Sequence, residues 1–364
     1  MELILTSEQA MLREMAARFA DQAVKQTRAL RDHDPSFSPE RLRQAAEMGW
    51  FRILVPEEFG GLDLSLTDLI LVLEELGRGL AAEPIAAAAV SAFALSRGLR
   101  SKQAAQLLEK LLVGGALVVP ALQESCLGLL KGLPTTFLER QGSALLVTGR
   151  KHFVASEGAT GFIVSAHGAD GVSLCYLDAL GTGCRQERHR TIEGRTVATL
   201  HIESSPVMLI GDGERASWQH RAIEDLALMA SSAELLGVME KAQEITLDYI
   251  RARNQFGKPI GSFQALQHKA ADNLIHIETT RSLLFQAAAC MDLGRDSAMA
   301  SAVKARASEA ALCVTKACIQ MHGAIGFTDE HDIGLYHKRA IVLSSHLGDA
   351  AENRRRFARY ESDD

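Results

Sequence analysis

Two polar, glycine-containing segments offer residue types that bind a phosphorylated ligand. The first runs from Arg251 to Gln264 and joins arginines, amides and aromatic residues to two glycines after a long helical pattern. The guanidinium of Arg253 can hold a phosphate through two parallel hydrogen bonds, while Gly257 and Gly261 let the backbone approach it. Taken alone, the segment fits either a cofactor site or the polar end of a helix.

The second segment, Gln320 to Phe327, follows another long helical pattern and contains two glycines. It fits either packing against a flat ligand or a plain helix end. Shortly after it, Asp329 to Asp332 are four adjacent residues of metal-binding type. Four consecutive side chains on regular backbone cannot all reach one ion, so we interpret them as a solvated turn and predict no metal site.

The composition is that of a globular protein of two or three domains. The chain has 364 residues, and its 45 acidic against 39 basic residues give a net charge of −6, which disfavours nucleic-acid binding. No apolar run reaches the roughly 18 residues that a membrane span needs. The N-terminus lacks a secretory pattern, and the six cysteines form no C-x-x-C pair. These features predict a cytoplasmic protein with reduced thiols and no membrane span.

The elements that must position the two segments fall into three regions, which predict an α+β fold. Residues 1–118 show helical periodicity, with a capping pattern at Thr6 and helices over 41–48, 66–77 and 101–112. Residues 119–215 contain short apolar runs bounded by turn residues, at 144–149, 161–165, 172–177, 197–202 and 207–211. Such runs predict the strands of a small barrel or sandwich. Residues 216–364 return to long helices, at 224–253, 263–293 and 297–321.

The sequence resembles the acyl-CoA dehydrogenase family over nearly its whole length. The resemblance rests on Met48 to Gly61, on Leu73 to Leu80, on Arg253 to Gln264, which is close to the family's flavin motif, and on Gln320 to Thr328. It implies an N-terminal helical domain, a central β-barrel and a C-terminal four-helix bundle. It also implies FAD bound between barrel and bundle across a subunit interface.

The family's chemistry is the α,β-dehydrogenation of an acyl-CoA thioester. In it a carboxylate removes a proton from Cα while the flavin takes hydride from Cβ, so the base must reach Cα in a dry site. The resemblance further implies an electron-transfer flavoprotein as electron acceptor. The assembly would be a homodimer or homotetramer, or a heterotetramer with a catalytic subunit.

The resemblance assigns seven residues to the cofactor. Arg253 would pair with the FAD pyrophosphate, supported by Gln255, while Phe256 would pack beside the cofactor and Gln264 would hydrogen-bond to it. The adenine end would be lined from the neighbouring subunit by Gln320, Gly323 and Ala324.

The family's usual base has no counterpart, so the catalytic residue stays unassigned. Counting from Phe327 places the glutamate of the family's Tyr-Glu-Gly-Thr segment at Leu347, which cannot accept a proton. The family's alternative base position falls at Ala227, near Glu224 and Asp225. Two other acids come close in sequence: Glu234, for which we favour a subunit contact, and Asp349, for which we favour a solvated loop.

The barrel region departs from the family as well. The segment Leu122 to Leu129 replaces a hydroxyl-rich one that reaches the flavin and the substrate in other members. Phe153 and Ala155 stand where a tryptophan and a threonine are usual, so the ring can still cover the flavin while the side-chain hydrogen bond is lost. The arginine usual after the alternative base position is Leu228.

Three hypotheses follow. The chain is a subunit of a bacterial heteromeric acyl-CoA dehydrogenase whose partner supplies the base. Alternatively, it is a self-sufficient dehydrogenase with a relocated base at Glu224 or Asp225. As a third alternative it is a flavin monooxygenase or a non-catalytic relative on the same fold.

Overall fold

The computed structural model describes residues 5–31, 33, 36–98, 101–129, 133–294 and 298–361. The chain forms two compact units. The helical unit comprises Met1–Lys25, Ile70–Ala81 and Leu228–Asp364, and the sheet unit comprises Gln26–Leu69 and Ala82–Ala227. The three-domain division at residues 118 and 215 stays a prediction.

Among the residues described before the first strand there are six α-helices, and the periodicity predicted a helical region here. They are α1 (Ser7–Asp21), α2 (Ala23–Leu30), α3 (Pro39–Glu47), α4 (Leu66–Arg78), α5 (Ile85–Arg97) and α6 (Lys102–Leu112). The capping pattern at Thr6 is confirmed, because its hydroxyl accepts from Gln9 N and the Gln9 side chain accepts from Thr6 N. Ser101 caps α6 in the same way through Ala104 N.

The sheet unit contains a small closed barrel. Its strands are β1 (Val118–Ala121), β2 (Phe137–Gln141), β3 (Ala144–Val154), β4 (Gly161–Gly168), β5 (Gly171–Asp178), β6 (Cys184–Arg190) and β7 (Thr196–Asp212). They pair in the order β1-β4-β2-β3-β7-β5, and β4 also pairs with β5, so the ring from β4 to β5 closes. β6 lies outside this ring and pairs with β7. Fully buried side chains on its strands include Val147, Phe162, Leu174, Leu200 and Ile202.

Two predicted strands, 197–202 and 207–211, are wrong as separate elements because both belong to β7, a strand of 17 residues. Ser204 has a positive φ of 46° within this strand, and the pairing of β5 with β7 is irregular near Leu174. β7 can continue through these interruptions because it pairs with β3 and β6 along one part and with β5 along the other. The polar turn-like residues therefore mark a bend in one strand.

The second helical stretch begins earlier than its periodicity predicted. α7 (Gly213–Ala252) is one helix of 40 residues and starts eleven positions before Glu224. It is followed by a hairpin of β8 (Asn254–Gln255) and β9 (Lys258–Pro259), and then by α8 (Gln264–Asp292) and α9 (Met299–His322). Two more helices follow, α10 (Ile333–Ser345) and α11 (Ala350–Glu361), in a region predicted to be helical but without bounds for these two elements.

Within the helical unit, α4 and α7 lie unusually close together. A Cβ atom at Gly237 of α7 would lie 1.9 Å from the carbonyl oxygen of Glu74 in α4. A Cβ atom at Gly77 would lie 2.2 Å from the carbonyl oxygen of Glu234. Only glycine leaves room for this approach, because real side chains do not tolerate such separations from backbone atoms.

A buried cluster of charged side chains lies beside this crossing. The carboxylate of Glu74 has no exposed side-chain surface and pairs with Arg281 of α8 at 3.0 Å and with Arg13 of α1 at 3.5 Å. Arg281 also binds Glu240 of α7, and Arg78 binds Glu240 at 3.2 Å. Burial raises the pKa of Glu74 to about 7, an effect that Arg281 opposes and Glu240 reinforces.

The apolar helix Met299–Phe327, which contains α9, is long and apolar enough to cross a membrane, with a mean hydropathy of 1.2 over its most apolar window. However, 44% of that window is buried inside the protein. Core helices of globular proteins have the same length and composition, so this helix is weak evidence for a span. The expectation of no membrane span stays a prediction.

Candidate functional site

The hairpin after α7 displays the residues of the flavin-like motif at the surface of the helical unit. Phe256 and Gly257 form its two-residue turn, with φ of 52° and 78°. Positive φ at both central positions is typical of a tight hairpin turn, but it is strained for an aromatic residue. Phe256 is 90% exposed, and its ring meets Phe263 edge to face at 6.1 Å.

The polar residues of this motif are available to a ligand. Arg253 follows α7 directly, and its carbonyl accepts a hydrogen bond from Ile260 N at 2.8 Å, which ties the two ends of the hairpin together. Gln255 lies in β8 and Gln264 is the first residue of α8. Among the described residues, the exposed side chains of Arg253, Gln255 and Gln264 have no hydrogen-bond or ion-pair partner.

The glycine-rich segment turns the chain sharply at the end of α9. Gln320 is exposed in the last turn of α9, and Gly323 has φ 64° and ψ −141°, a combination that a side chain would strain. Ala324 is exposed, and Phe327 is 77% exposed after a short 3-10 turn. Gln320, Gly323 and Ala324 therefore line one accessible helix end.

A cluster of three rings joins the end of α7 to this turn, and the sequence motifs did not predict it. Tyr249 stacks on His322 at 4.5 Å between ring centroids. His331 lies 4.5 Å from His322 and meets Tyr249 edge to face at 6.2 Å. His322 Nδ1 donates to the carbonyl of Cys318 at 2.8 Å, which leaves its buried Nε2 without a partner among the described residues. Burial lowers the pKa of His322, so this ring is held neutral.

Leu347, the residue that the sequence motif aligns with the family's base, lies in the turn between α10 and α11. Leu347 is buried and adopts a left-handed conformation with φ 61°. Its carbonyl accepts from Asn353 Nδ2 at 3.3 Å, and Asn353 also donates to the carbonyl of Gly348 at 2.9 Å. The turn is therefore held through its main chain by a buried amide of α11.

A buried lysine of α9 also holds the turn between α10 and α11. Lys304 Nζ has no solvent exposure and donates to Ser308 Oγ and to the carbonyl of Leu343, each at 2.9 Å. It also reaches the carbonyl of Gly348 at 3.4 Å. Burial lowers the pKa of Lys304 to about 7, although the nearby Asp349 carboxylate opposes this shift.

The acids considered as relocated bases are each engaged within the chain. Glu224 is buried, and its Oε1 lies 3.6 Å from His220 Nε2. Burial lowers the pKa of Lys151 in the barrel, and the charge of Glu224 is among those that oppose this shift. Asp225 is partly exposed, and Ala227 is buried. Glu224 thus already has a partner in its own unit.

Glu234 and Asp349 have local structural partners. Glu234 is half-buried and pairs with Arg339 of α10 at 2.5 Å within the same chain. The subunit contact that we favoured for it stays a prediction. Asp349 Oδ1 accepts from Glu352 N at 2.8 Å and so caps α11. Asp349 is exposed, in keeping with a loop acid.

On the barrel, Phe153 stands out among the residues predicted to meet the flavin. It has φ 54° and is 41% exposed, at a point where the pairing of β3 with β7 is irregular between Lys151 and Val154. The adjacent segment Leu122 to Leu129 contributes Gln123, whose carbonyl accepts from His152 N at 2.7 Å. Ala155 is half-buried and Ser156 is buried.

No group of three or more histidine, cysteine, aspartate or glutamate side chains is arranged to hold a metal ion within the described ranges. The acidic segment Asp329 to Asp332 forms a turn before α10, as interpreted from the sequence. Its Lys338–Asp329 pair is long, at 3.9 Å.

Comparison with known proteins establishes the family. Residues 6–115 match the acyl-CoA dehydrogenase N-terminal domain, and residues 227–360 match the acyl-CoA dehydrogenase C-terminal domain. The chain therefore belongs to the acyl-CoA dehydrogenase family.

The individual relatives are similar along the whole chain. Acyl-CoA dehydrogenase IpdE2 of Mycolicibacterium smegmatis is 27% identical, over 97% of this chain and 98% of its own length. The Tcur3481-Tcur3483 steroid acyl-CoA dehydrogenase, solved as a variant, is 29% identical, with a TM-score of 0.89 and 98% of each chain covered. PigA solved with FAD and proline has the same fold, at 23% identity and a TM-score of 0.87, over 100% of this chain and 99% of its own.

Proposed function

We propose that this chain is an FAD-binding subunit of an acyl-CoA dehydrogenase whose catalytic base comes from a partner chain. One observation supports the proposal: the turn between α10 and α11 is held in place by Lys304 and Asn353, and it contains Leu347, which the sequence motif aligns with the family's glutamate. A leucine cannot remove a proton from Cα. The reaction therefore needs a carboxylate from elsewhere.

The residues of the flavin-like motif fit FAD, the cofactor of this family. Arg253 is exposed and without an internal counter-ion among the described residues, so it can form a charge-assisted hydrogen bond to a pyrophosphate. The exposed aromatic side chains of Phe256 and Phe327 offer flat apolar surface to a ring system. Gln255 and Gln264 would hydrogen-bond the cofactor, and Gln320, Gly323 and Ala324 would line the adenine of FAD bound by a neighbouring subunit.

The chemistry would be a two-electron oxidation of an acyl-CoA thioester. The base would take the proton from Cα, and the chemistry that bound FAD would supply is an acceptor for the hydride from Cβ, so that a double bond would form between the two carbons. This chain would bind and orient the flavin, and Phe153 would cover one face of its ring. Proton transfer would depend on the partner, because the carboxylates nearest the alternative base position are already engaged.

The partner would be a catalytic acyl-CoA dehydrogenase subunit, in a heterotetramer rather than a homodimer or homotetramer. The similarity to a steroid acyl-CoA dehydrogenase named for two proteins supports this assembly and a lipid or steroid acyl-CoA as substrate. Reduced flavin would then pass its electrons to an electron-transfer flavoprotein, as family membership suggests.

A relocated base at Glu224 is the second candidate, since it is a buried carboxylate one helical turn from Ala227. Its pairing with His220 and its proximity to Lys151 favour a structural role instead. Glu224→Gln and Asp225→Asn distinguish the two. If either variant loses flavin reduction that the isolated parent chain performs, the base lies in this chain.

The deciding experiment is an anaerobic titration of the FAD-loaded chain, first alone and then co-expressed with a catalytic subunit. Octanoyl-CoA and a steroid side-chain CoA thioester serve as probes, and bleaching of the flavin band is the measurement. We expect FAD binding without bleaching for the chain alone, and bleaching for the complex. Bleaching by the isolated chain would overturn the partner-supplied base.

A further inference from the structure

Phe153 is held in a conformation that its own sequence does not favour. A left-handed backbone is costly for an aromatic residue and persists only where the surroundings impose it. Phe153 has φ 54° and yet presents 41% of its surface to solvent. Burial of the ring does not account for this conformation, so the neighbouring backbone must impose it.

The two residues before Phe153 are anchored to the segment that precedes β2. His152 N donates to the carbonyl of Gln123 at 2.7 Å, and Lys151 Nζ donates to Glu124 Oε1 at 2.6 Å. Lys151 has no solvent exposure, and its amine also donates to the carbonyl and the hydroxyl of Ser165 in β4, at 2.7 and 3.1 Å. An ammonium has three protons, and all three have acceptors here.

The carboxylate of Glu124 is equally saturated. Its Oε2 accepts from the backbone and hydroxyl of Thr135 at 2.5 and 2.8 Å, and its Oε1 accepts from those of Thr136 at 3.0 and 2.5 Å. Burial alone would raise the pKa of Glu124, but Lys151 and these hydrogen bonds lower it to about 2. Burial lowers the pKa of Lys151, and the Glu124 carboxylate opposes this shift. The pair joins β3, β4 and the Gln123–Glu124 segment at one point.

We propose that Lys151 and Glu124 are positioning residues that impose the left-handed conformation of Phe153 and so present its ring to the flavin. The inference rests on the proposed function and deepens it. Neither residue would contact the flavin itself. They act through the backbone, because Lys151 lies two residues before Phe153 and Glu124 lies next to the acceptor of His152 N.

The test removes the pair without leaving a lone buried charge. Lys151→Met with Glu124→Gln replaces the ions by neutral groups of similar size, whereas a single substitution would strand one of them. Both the parent and the double variant also carry Phe153→Trp, because the emission of the new indole is quenched when it lies against bound flavin. The measurements are the dissociation constant for FAD and the quenching at saturating FAD.

We expect the double variant to bind FAD about tenfold more weakly and to lose most of the quenching, since the ring must regain a strained conformation on binding. Thr136→Val, which removes one hydrogen bond to Glu124, should show the same changes to a smaller degree. This milder variant decides the question if the double variant does not fold. Unchanged affinity and quenching in the folded variants would overturn the proposal.

A matched control separates positioning from general loss of stability. Arg41 and Glu83 form another buried ion pair of the sheet unit, with N–O distance 3.1 Å and side chains 6% and 3% exposed. Arg41→Met with Glu83→Gln should lower the unfolding temperature while leaving quenching unchanged. Equal loss of quenching in both double variants would overturn the proposal. If the parent itself binds no FAD, the proposed function is wrong. That result differs from a loss of quenching in one or in both double variants.

Discussion

Replacing Lys304 with methionine should remove an increase in stability with pH that the native protein shows. Burial lowers the pKa of this lysine from 10.5 to about 7 in the folded chain. Between these values the unfolded chain binds a proton that the folded chain does not. The free energy of unfolding must therefore rise with pH in this window.

The size of the effect follows from proton linkage. One proton released on folding changes the free energy of unfolding by up to about 1.4 kcal/mol per pH unit. With the two pKa values of Lys304, the native protein should gain about 2 to 3 kcal/mol between about pH 7.5 and about pH 9.5. Lys304→Met has no proton to release and should lack this gain.

The assay is urea unfolding of the parent and the variant at several pH values in this range. Lys316→Met serves as the control, because Lys316 is an exposed lysine on the same helix. Asn353 still binds the carbonyl of Gly348 in the variant, so the turn keeps one of its two anchors. Groups that titrate elsewhere cancel in the difference between parent and variant. If Lys304→Met and the parent gain equal stability as the pH rises, the reasoning about the buried amine is wrong.

Three further predictions concern the helical unit. Because folding raises the pKa of Glu74 from 4.5 to about 7, native stability should fall by about 3 kcal/mol as the pH rises through this window, and urea unfolding of Glu74→Gln should show no such fall. Gly237→Ala should lower the free energy of unfolding by about 1 to 3 kcal/mol, because the new Cβ meets the backbone of α4. Gly334→Ala in α10 is the control, because the nearest atom to its new Cβ lies at 3.9 Å. Equal shifts of the unfolding temperature in the two variants would contradict this prediction. Leu347→Glu should allow the FAD-loaded chain to bleach with octanoyl-CoA in the absence of a partner, and persistent flavin colour would show that more than the base is missing.

Local signals predicted the fold wherever neighbouring residues decide the structure. Thr6 and Ser101 begin helices through their own hydroxyls, and the pattern over 66–77 predicts nearly all of α4. Local signals failed where pairing across the sheet overrides them. β6 is almost entirely polar and partly exposed, so only its pairing with β7 makes it a strand. β7 likewise continues through residues that look like a turn.

The candidate site shows the same limit. The family resemblance assigned Arg253 and Phe256 to the flavin, and both lie in one short exposed segment around a hairpin. Their contact with FAD stays a prediction. The partners of Lys151 and Lys304 were missed, since Glu124 lies 27 residues from the first and Leu343 lies 39 residues from the second. A lysine in an apolar pattern gives no local sign of which carbonyl or carboxylate will receive its protons.

The way the α10–α11 turn is held has an evolutionary consequence. Lys304 and Asn353 donate hydrogen bonds to main-chain carbonyls of this turn. Every residue at position 347 would supply such a carbonyl. These main-chain hydrogen bonds therefore place no demand of their own on the identity of that side chain. After a gene duplication, one copy could exchange its acid for leucine while its architecture survived. Two paralogous subunits could then divide cofactor binding from proton transfer through a change at a single codon.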